Sequence, residues 1–245
     1  VQRQPFGGWR RSSVGGSTKA GGPNYLVPLV NWHDVPVVEA AASAKELRDE
    51  LSTGALAASA GAGVAEAELA WLRACLHSDA AALAEIFTTA LDATGLESER
   101  NVLRYHPLPV TVRVEDATTA QAVRVIAAGL RARAPLTVST AISLPDSVAR
   151  WARGCGVTVE IEPQPAWVAR ANTLAQTGGR IRLVGGDRGT LSEAIGGSQA
   201  VAIVDGDAVT SGYVSMLPFV REQAVSITAH RFGTVKPVHV PQILK

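Results

Sequence analysis

The sequence predicts an α/β fold: a Rossmann-like, mostly parallel sheet with helices on both faces, preceded by an extended tail and an Ala-rich helical segment. Three observations predict it. Short β-branched runs alternate with helical segments after residue 100. An alanine-rich stretch with leucines at helical spacing precedes them. Two glycine-rich breaks mark the beginning of the chain. We therefore divide the chain into an extended tail at 1–34, a helical connector at 35–100 and a Rossmann-like domain at 101–245.

The tail contains two glycine-rich breaks around a short apolar segment. Gly7 and Gly8 follow Phe6 and permit a sharp turn that would hold the Phe6 ring rigidly. The second break, at residues 21–23, precedes a segment at 25–27 that predicts a short strand. Taken alone, this pattern indicates two surface loops around a strand.

The connector is predicted to contain two helices. The first has apolar residues at fourfold spacing, namely Leu47, Leu51 and Ala55, and the second has Leu69, Leu72, Leu76 and Leu83. Small residues at 56–63 predict a linker between them.

The third part alternates strands and helices. We predict strands at 110–114, 136–140, 157–161, 180–184, 200–204 and 225–229. A helix at 117–133 is predicted to be capped by Thr118 or Thr119, and another begins at Pro145 and ends at Gly154. Such alternation favours a parallel sheet that is covered on both faces.

Glycine-rich turns do not match the dinucleotide fingerprint G-x-G-x-x-G. The Gly61–Gly63 segment lacks the third glycine and a preceding strand. Residues 185–190 lie between a strand and a helix, where backbone amides could hold an anion, but their spacing also fails the fingerprint. A tight turn is therefore the favoured interpretation of 185–190.

The candidate nucleophiles and metal ligands are isolated in the sequence. Cys75 shares a helical face with leucines, which predicts a buried structural thiol, whereas Cys155 lies between two glycines and is predicted to be exposed. The histidines show no metal-ligand spacing, and Asp205 and Asp207 around Gly206 predict a turn. We therefore predict no catalytic, cofactor-binding or metal-binding residue in this chain.

Composition excludes several functional classes. The net charge of +1 argues against nucleic acid as a partner, and two cysteines predict no disulfide framework. The sequence has no run of about 18 apolar residues, so we predict no membrane span. The expected location is cytoplasmic.

Residues 4–26, QPFGGWRRSSVGGSTKAGGPNYL, resemble the end of the aldehyde dehydrogenase domain in 1-pyrroline-5-carboxylate dehydrogenases, especially the version in proline utilization A proteins. In that family the region reads Q-P-F-G-G, a basic residue, S-G-x-G, then K-A-G-G-P-x-Y-L. This chain departs from it at residues 13–16, which read SVGG. The resemblance implies that Phe6, with Gly7 and Gly8, binds substrate by packing against the aliphatic part of L-glutamate γ-semialdehyde.

The resemblance also implies that the catalytic cysteine and the NAD site lie upstream of this chain. The chain is then expected to be an inactive C-terminal fragment of an NAD-dependent dehydrogenase of proline catabolism. The parent would also use FAD if a proline dehydrogenase domain is fused to it. Residues 101–245 resemble the non-catalytic C-terminal domain of longer proline utilization A proteins, which covers the catalytic unit.

The expected partner is therefore the missing aldehyde dehydrogenase catalytic domain, and homo-oligomerisation stays open. Two alternatives remain: a non-enzymatic interaction or dimerisation module, and a self-contained Rossmann-type protein that binds a nucleotide at 185–190. The fragment hypothesis predicts that residues 1–28 contact the rest of the chain sparsely. It also predicts exposure of Phe6, Trp9, Tyr25 or Leu26.

Overall fold

The fold is described from a computed structural model, which covers residues 5–8, 18–34, 47–96, 98–228, 230–231 and 234–235. The helices are α1 (Glu50–Gly61), α2 (Glu66–Ala82), α3 (Thr119–Arg131), α4 (Asp146–Gly154), α5 (Gln164–Thr177), α6 (Arg188–Ala194) and α7 (Gly212–Met216). The strands are β1 (Glu99–Pro107), β2 (Val110–Val114), β3 (Leu136–Thr140), β4 (Thr158–Ile161), β5 (Gly179–Val184), β6 (Val201–Val204), β7 (Val220–Thr228), β8 (His230–Arg231) and β9 (Thr234–Val235). Short 3₁₀ helices lie at Val27–Leu29 and Leu217–Phe219, and a π-helix at Leu83–Phe87 follows α2.

Five parallel strands form the central sheet in the order β4-β3-β2-β5-β6. The chain runs outward from β2 to β4 and then returns to the other side of β2 with β5. This order reproduces the first five strands of the Rossmann order 3-2-1-4-5-6, with the topological switch point between β2 and β5. The predicted fold class is therefore confirmed.

Side chains of successive strand residues point to opposite faces of the sheet, and an apolar cluster lies on each face. The larger cluster includes fully buried side chains of β2, β3, α3 and α4, such as Val112, Val138, Ile126 and Val148. The smaller one centres on Trp167 of α5 and Ile181 of β5. Helices thus cover both faces, as the strand–helix alternation predicts.

Helices α1 and α2 pack into the larger cluster through Ala55 and Leu72, both fully buried. The predicted break between them is misplaced, because residues 56–61 are still helical. Alanine and serine sustain the helix there, and Ala58 and Ser59 are buried. The turn falls at 62–65, where Gly63 adopts a φ of +75°.

The C-terminal strand differs from the prediction. Residues 225–228 belong to β7, which pairs with β1 in a separate two-stranded antiparallel ribbon and not with the parallel sheet; residue 229 lies outside the described residues. The physical reason is the polar character of β7. Arg221, Glu222 and Gln223 follow one another near its start, and such a run does not suit a central parallel strand that is buried on both faces.

Helix α3 shows clear start and stop signals. Thr118 caps it in a capping box with Gln121, as predicted. At the other end Arg133 has a left-handed φ of 59°, and the Ala134 N–H closes the turn on Gly129 O at 3.0 Å. Glycine usually occupies this position after a helix, because a left-handed φ costs other residues roughly 1–2 kcal/mol.

Among the described residues, none of the helices is both long enough and apolar enough to span a bilayer.

Candidate substrate-binding loop

Phe6 lies at the edge of a loop whose backbone is fixed on both sides. Its N–H donates to Ala20 O at 3.0 Å, and the Ala20 N–H donates back to Phe6 O at 2.8 Å. The Lys19 ammonium donates to the carbonyls of Gly7 and Gly8, the latter at 3.3 Å. The described residues 5–8 and 18–20 therefore meet at Lys19, while the Phe6 side chain is 73% exposed. The Phe6 ring therefore projects from a backbone position that the two hydrogen bonds with Ala20 fix.

A buried polar cluster, which we call the tail anchor, fixes this loop to the domain. It consists of Lys19, Asn24, Tyr105, Tyr213 and Glu222. Glu222 Oε2 accepts from the Lys19 backbone N–H at 2.9 Å, and Glu222 Oε1 accepts from Asn24 Nδ2 at 2.5 Å. Asn24 Nδ2 also donates to Tyr105 Oη at 2.8 Å, and Tyr213 Oη donates to Asn24 Oδ1. The fully buried Asn24 amide is thus satisfied at both ends.

A second contact holds the tail at Asp34. Its carboxylate accepts from Trp71 Nε1, from the Thr210 N–H and from Thr210 Oγ1, each at 2.7 Å. The Trp71 bond joins the tail to α2, and the Thr210 bonds join it to the loop before α7. Together with the tail anchor, this contact docks the described part of the tail at two separate points.

The predictions about the tail are partly right. Phe6, Tyr25 and Leu26 are 73%, 47% and 67% exposed, as predicted, while Trp9 lies outside the described residues. Sparse contact is wrong for Lys19 and Asn24, which are buried in the tail anchor.

The predicted strand at 25–27 is also wrong. A turn at 21–26 leads directly into the 3₁₀ helix Val27–Leu29. The physical reason is local: Pro28 lies in the first turn of that helix, and the buried Asn24 holds the preceding turn against Glu222 and the two tyrosines.

The tail anchor shifts the proton affinities of its members. Burial raises the pKa of the Glu222 carboxyl, and the bonds from Asn24 and Lys19 oppose that shift. Burial also lowers the pKa of the Lys19 ammonium, against the attraction of Glu222. Burial raises the pKa of Tyr105 to about 12, so this phenol stays protonated at neutral pH.

These shifts predict a pH effect on stability. A carboxyl with a raised pKa in the folded state loses stability as pH rises from its unfolded value, about 4.3, through the folded value. We expect the unfolding free energy of the wild type, minus that of Glu222→Gln, to fall over this range and then level off. Urea titrations of both proteins at several pH values measure this difference. A difference that rises with pH would contradict the assignment, and Glu193→Gln on exposed α6 serves as the control.

The sheet's switch point is filled by the chain itself. Gly185 and Gly186, with φ of +69° and +74°, follow β5 and lie against residues 115–116 after β2. A Cβ on Gly185 would lie 2.1 Å from Asp116 O. Asp187 caps α6 by accepting from the Thr190 N–H at 2.6 Å. The Glu115 carboxylate, the Asp116 backbone and the Asp187 carboxylate thus lie around a turn with little space for a phosphate, which supports the tight-turn interpretation of 185–190.

A buried arginine occupies the neighbouring edge of the sheet. Arg113 is fully buried and donates to Ser139 Oγ and to Glu162 O, each at 2.9 Å. Its guanidinium lies 5.0 Å from the centre of the Trp167 ring. Side chains of the chain therefore fill the ends of β2 and β3, where ligands bind in open α/β sheets.

Neither cysteine is prepared for nucleophilic attack. Cys75 is fully buried, as predicted, and burial raises its pKa to about 12. Cys155 is exposed, as predicted, and burial of its sulfur still raises its pKa. Since the thiolate is the nucleophile, both shifts oppose reactivity. In the part of the chain that the structure describes, no three His, Cys, Asp or Glu side chains form a potential metal site.

Comparison with solved structures finds similarity over almost the whole chain. Proline utilization A from Corynebacterium freiburgense is 30% identical over 96% of this chain, with a TM-score of 0.62. The chain has the fold of a proline utilization A segment. It spans about one fifth of that protein, since the match covers 20% of its length. No protein-family model and no curated protein matches the sequence.

Two aldehyde dehydrogenases are more distantly similar. A succinate-semialdehyde dehydrogenase from Burkholderia pseudomallei is 17% identical over 63% of this chain and 34% of its own, with a TM-score of 0.43. An NAD-dependent benzaldehyde dehydrogenase from Corynebacterium glutamicum is 12% identical over 63% of this chain and 40% of its own, with a TM-score of 0.44.

Proposed function

We propose that this chain is the C-terminal part of an NAD-dependent dehydrogenase that oxidises L-glutamate γ-semialdehyde, formed from 1-pyrroline-5-carboxylate, to glutamate in proline catabolism. The observation that carries the proposal is the match of almost the whole chain to one fifth of a proline utilization A. In this proposal NAD and the reactive cysteine belong to the aldehyde dehydrogenase catalytic domain of the parent. FAD belongs to a proline dehydrogenase domain if one is fused.

Phe6 is the residue we assign to the substrate. Its backbone is held by Ala20, and Lys19 binds the carbonyls that follow it, so the point from which the ring projects is set before any ligand arrives. An exposed ring on a fixed backbone can complete the apolar wall of a pocket formed by another polypeptide. Gly7 and Gly8 follow Phe6, and their carbonyls accept from the Lys19 ammonium.

The rest of the chain is assigned a structural role as a lid. Apolar side chains of the tail are exposed on one continuous stretch, namely Tyr25, Leu26, Leu29, Val30 and Trp32. Exposed apolar patches of this kind mark contact surfaces. We assign this patch to the catalytic domain, with the Rossmann-like domain held above it by the tail anchor. The same patch also favours the alternative of a pure interaction or dimerisation module.

A chimera tests the role of Phe6. The matching fifth of the Corynebacterium freiburgense protein is replaced with this chain, and NADH formation from L-glutamate γ-semialdehyde is followed. We expect Phe6→Ala to raise KM about ten- to hundredfold, because it removes roughly 2 kcal/mol of apolar contact with the substrate. Ile142→Ala, which removes an equally exposed side chain (73%), is the matched control.

Two outcomes would contradict the proposal. An unchanged KM for Phe6→Ala in an active chimera would remove Phe6 from the pocket, and turnover by the isolated chain with NAD would remove the fragment assignment. Thermal shift of the isolated chain with NAD, FAD and ATP separates the nucleotide-binding alternative, because a bound ligand raises apparent stability. The filled switch point predicts no shift.

A further inference from the structure

A cavity of about 300 Å³ lies beside the β1–β7 ribbon, on the far side of the sheet's switch point. It is lined by the π-helix Leu83–Phe87 and the residues that follow it, by the end of β1, and by the turn that ends α3. Its volume matches the lower end of small-molecule sites. A single π-turn is also a feature that recurs at functional sites.

The charges around this cavity are one-sided. Arg104, His106 and Arg133 contribute to its walls, and none of its lining residues in the described part of the chain is Asp or Glu. Arg104 Nε donates to Gln223 Oε1 at 2.7 Å, and His106 Nε2 lies 2.7 Å from the same oxygen. Gln223 thus fixes two of the three basic side chains on the ribbon. The hydroxyls of Thr88 and Thr89 donate to carbonyls of the π-helix.

Arg133 combines charge with an unfavourable backbone. Its left-handed φ of 59° suits glycine, yet the position carries a long cationic side chain at the cavity. Within the described residues the Arg133 guanidinium forms no ion pair. Residues held in sparsely populated backbone regions cluster at active sites and ligand clamps. The planar guanidinium of arginine is also the group best suited to donate two parallel hydrogen bonds to two oxygens of a carboxylate or phosphate.

We propose that this cavity binds a small oxyanion, a carboxylate or phosphate compound, with Arg133 as the principal contact and with Arg104 and His106 as the supporting wall. Tyr105 lines this cavity too, and its hydroxyl belongs to the tail anchor, so the cavity adjoins the anchor. The residues assigned to the oxyanion, Arg104, His106 and Arg133, belong neither to the tail anchor nor to the Phe6 loop. The proposal therefore does not depend on the dehydrogenase assignment.

The test uses the full chain and two probes at low ionic strength. Calorimetric titration with succinate and with inorganic phosphate is expected to give a dissociation constant of roughly 0.1–1 mM for at least one of them. Binding of succinate alone assigns the site to carboxylates, and binding of phosphate alone assigns it to phosphates. Failure of both probes to bind would overturn the proposal.

Arg133→Gly separates a ligand role from a purely structural one. We expect at least a tenfold loss of affinity while the melting temperature of the ligand-free protein rises by about 2–4 °C, because glycine relieves the left-handed φ. Arg133→Asn repeats the test with a residue that also tolerates this φ. Arg153→Ala, at the exposed end of α4, is the control and is expected to keep the affinity. Unchanged affinity in both Arg133 variants, or an equal loss in Arg153→Ala, would overturn the proposal.

Discussion

Replacing Asp79 with alanine is expected to lower the free energy of unfolding by about 3–5 kcal/mol. Asp79 Oδ2 accepts from Arg124 Nη1 at 2.6 Å, and both side chains are fully buried. Arg124 also donates to Val209 O at 3.0 Å, so it cannot turn towards water without losing that bond. Removing the carboxylate would leave a buried guanidinium without its counter-charge, which costs far more than the lost bond itself.

A surface pair at the start of α2 provides the control for Asp79. Glu66 and Arg73 lie 3.9 Å apart, with side chains 81% and 48% exposed. Glu66→Ala is expected to change stability by less than about 1 kcal/mol, because solvent screens exposed pairs. Urea unfolding of both variants measures the contrast. A loss below about 1 kcal/mol for Asp79→Ala would show that Arg124 finds another partner.

Gly185→Ala is expected to cost about 2–5 kcal/mol, from a left-handed φ and from overpacking together. The φ of Gly185 is +69°, and its added Cβ would meet the backbone of Asp116 at 2.1 Å. The added Cβ is fixed to the backbone of residue 185 and would meet backbone atoms of Asp116, so no side chain can move away to relieve the contact. The loop after β2 would have to separate from the turn after β5.

Gly196→Ala separates strain from collision. Gly196 has nearly the same φ, +65°, but nothing lies within 4 Å of its added Cβ. It should therefore show only the conformational cost of roughly 1–2 kcal/mol. If urea unfolding gives equal losses of unfolding free energy for the two variants, the close approach of residues 115–116 is not the reason that position 185 requires glycine.

The sheet was predictable because its signals are local. Runs such as 110–114 and 136–140 are β-branched and buried on both faces, and they became β2 and β3 with unchanged bounds. The Thr118 cap of α3 has the same local character. Each of these elements is specified by a few neighbouring residues whose propensity and burial agree.

The tail anchor and the β1–β7 ribbon depend on partners far apart in the sequence. The sequence around Asn24 predicts only an ordinary turn residue. In the fold, Glu222 and two tyrosines surround its side chain. In the ribbon, the polar run 221–223 of β7 marks it as unsuited to the central sheet, but the sequence of β7 does not identify β1 as its partner. The cavity beside Arg133 escaped prediction for the same reason, since its three basic residues come from two distant elements. The positive φ of Arg133 has no sequence signal at all.

The bond from the Lys19 N–H to Glu222 spans 203 residues of chain. The carboxylate that fixes the segment behind Phe6 therefore comes from almost the opposite end of the polypeptide. Any substitution that weakens the packing of β7 should allow the Phe6 ring to move, even though the substituted residue does not contact the ring. Under the proposed function, substrate affinity in the parent enzyme would then report on the integrity of a remote strand.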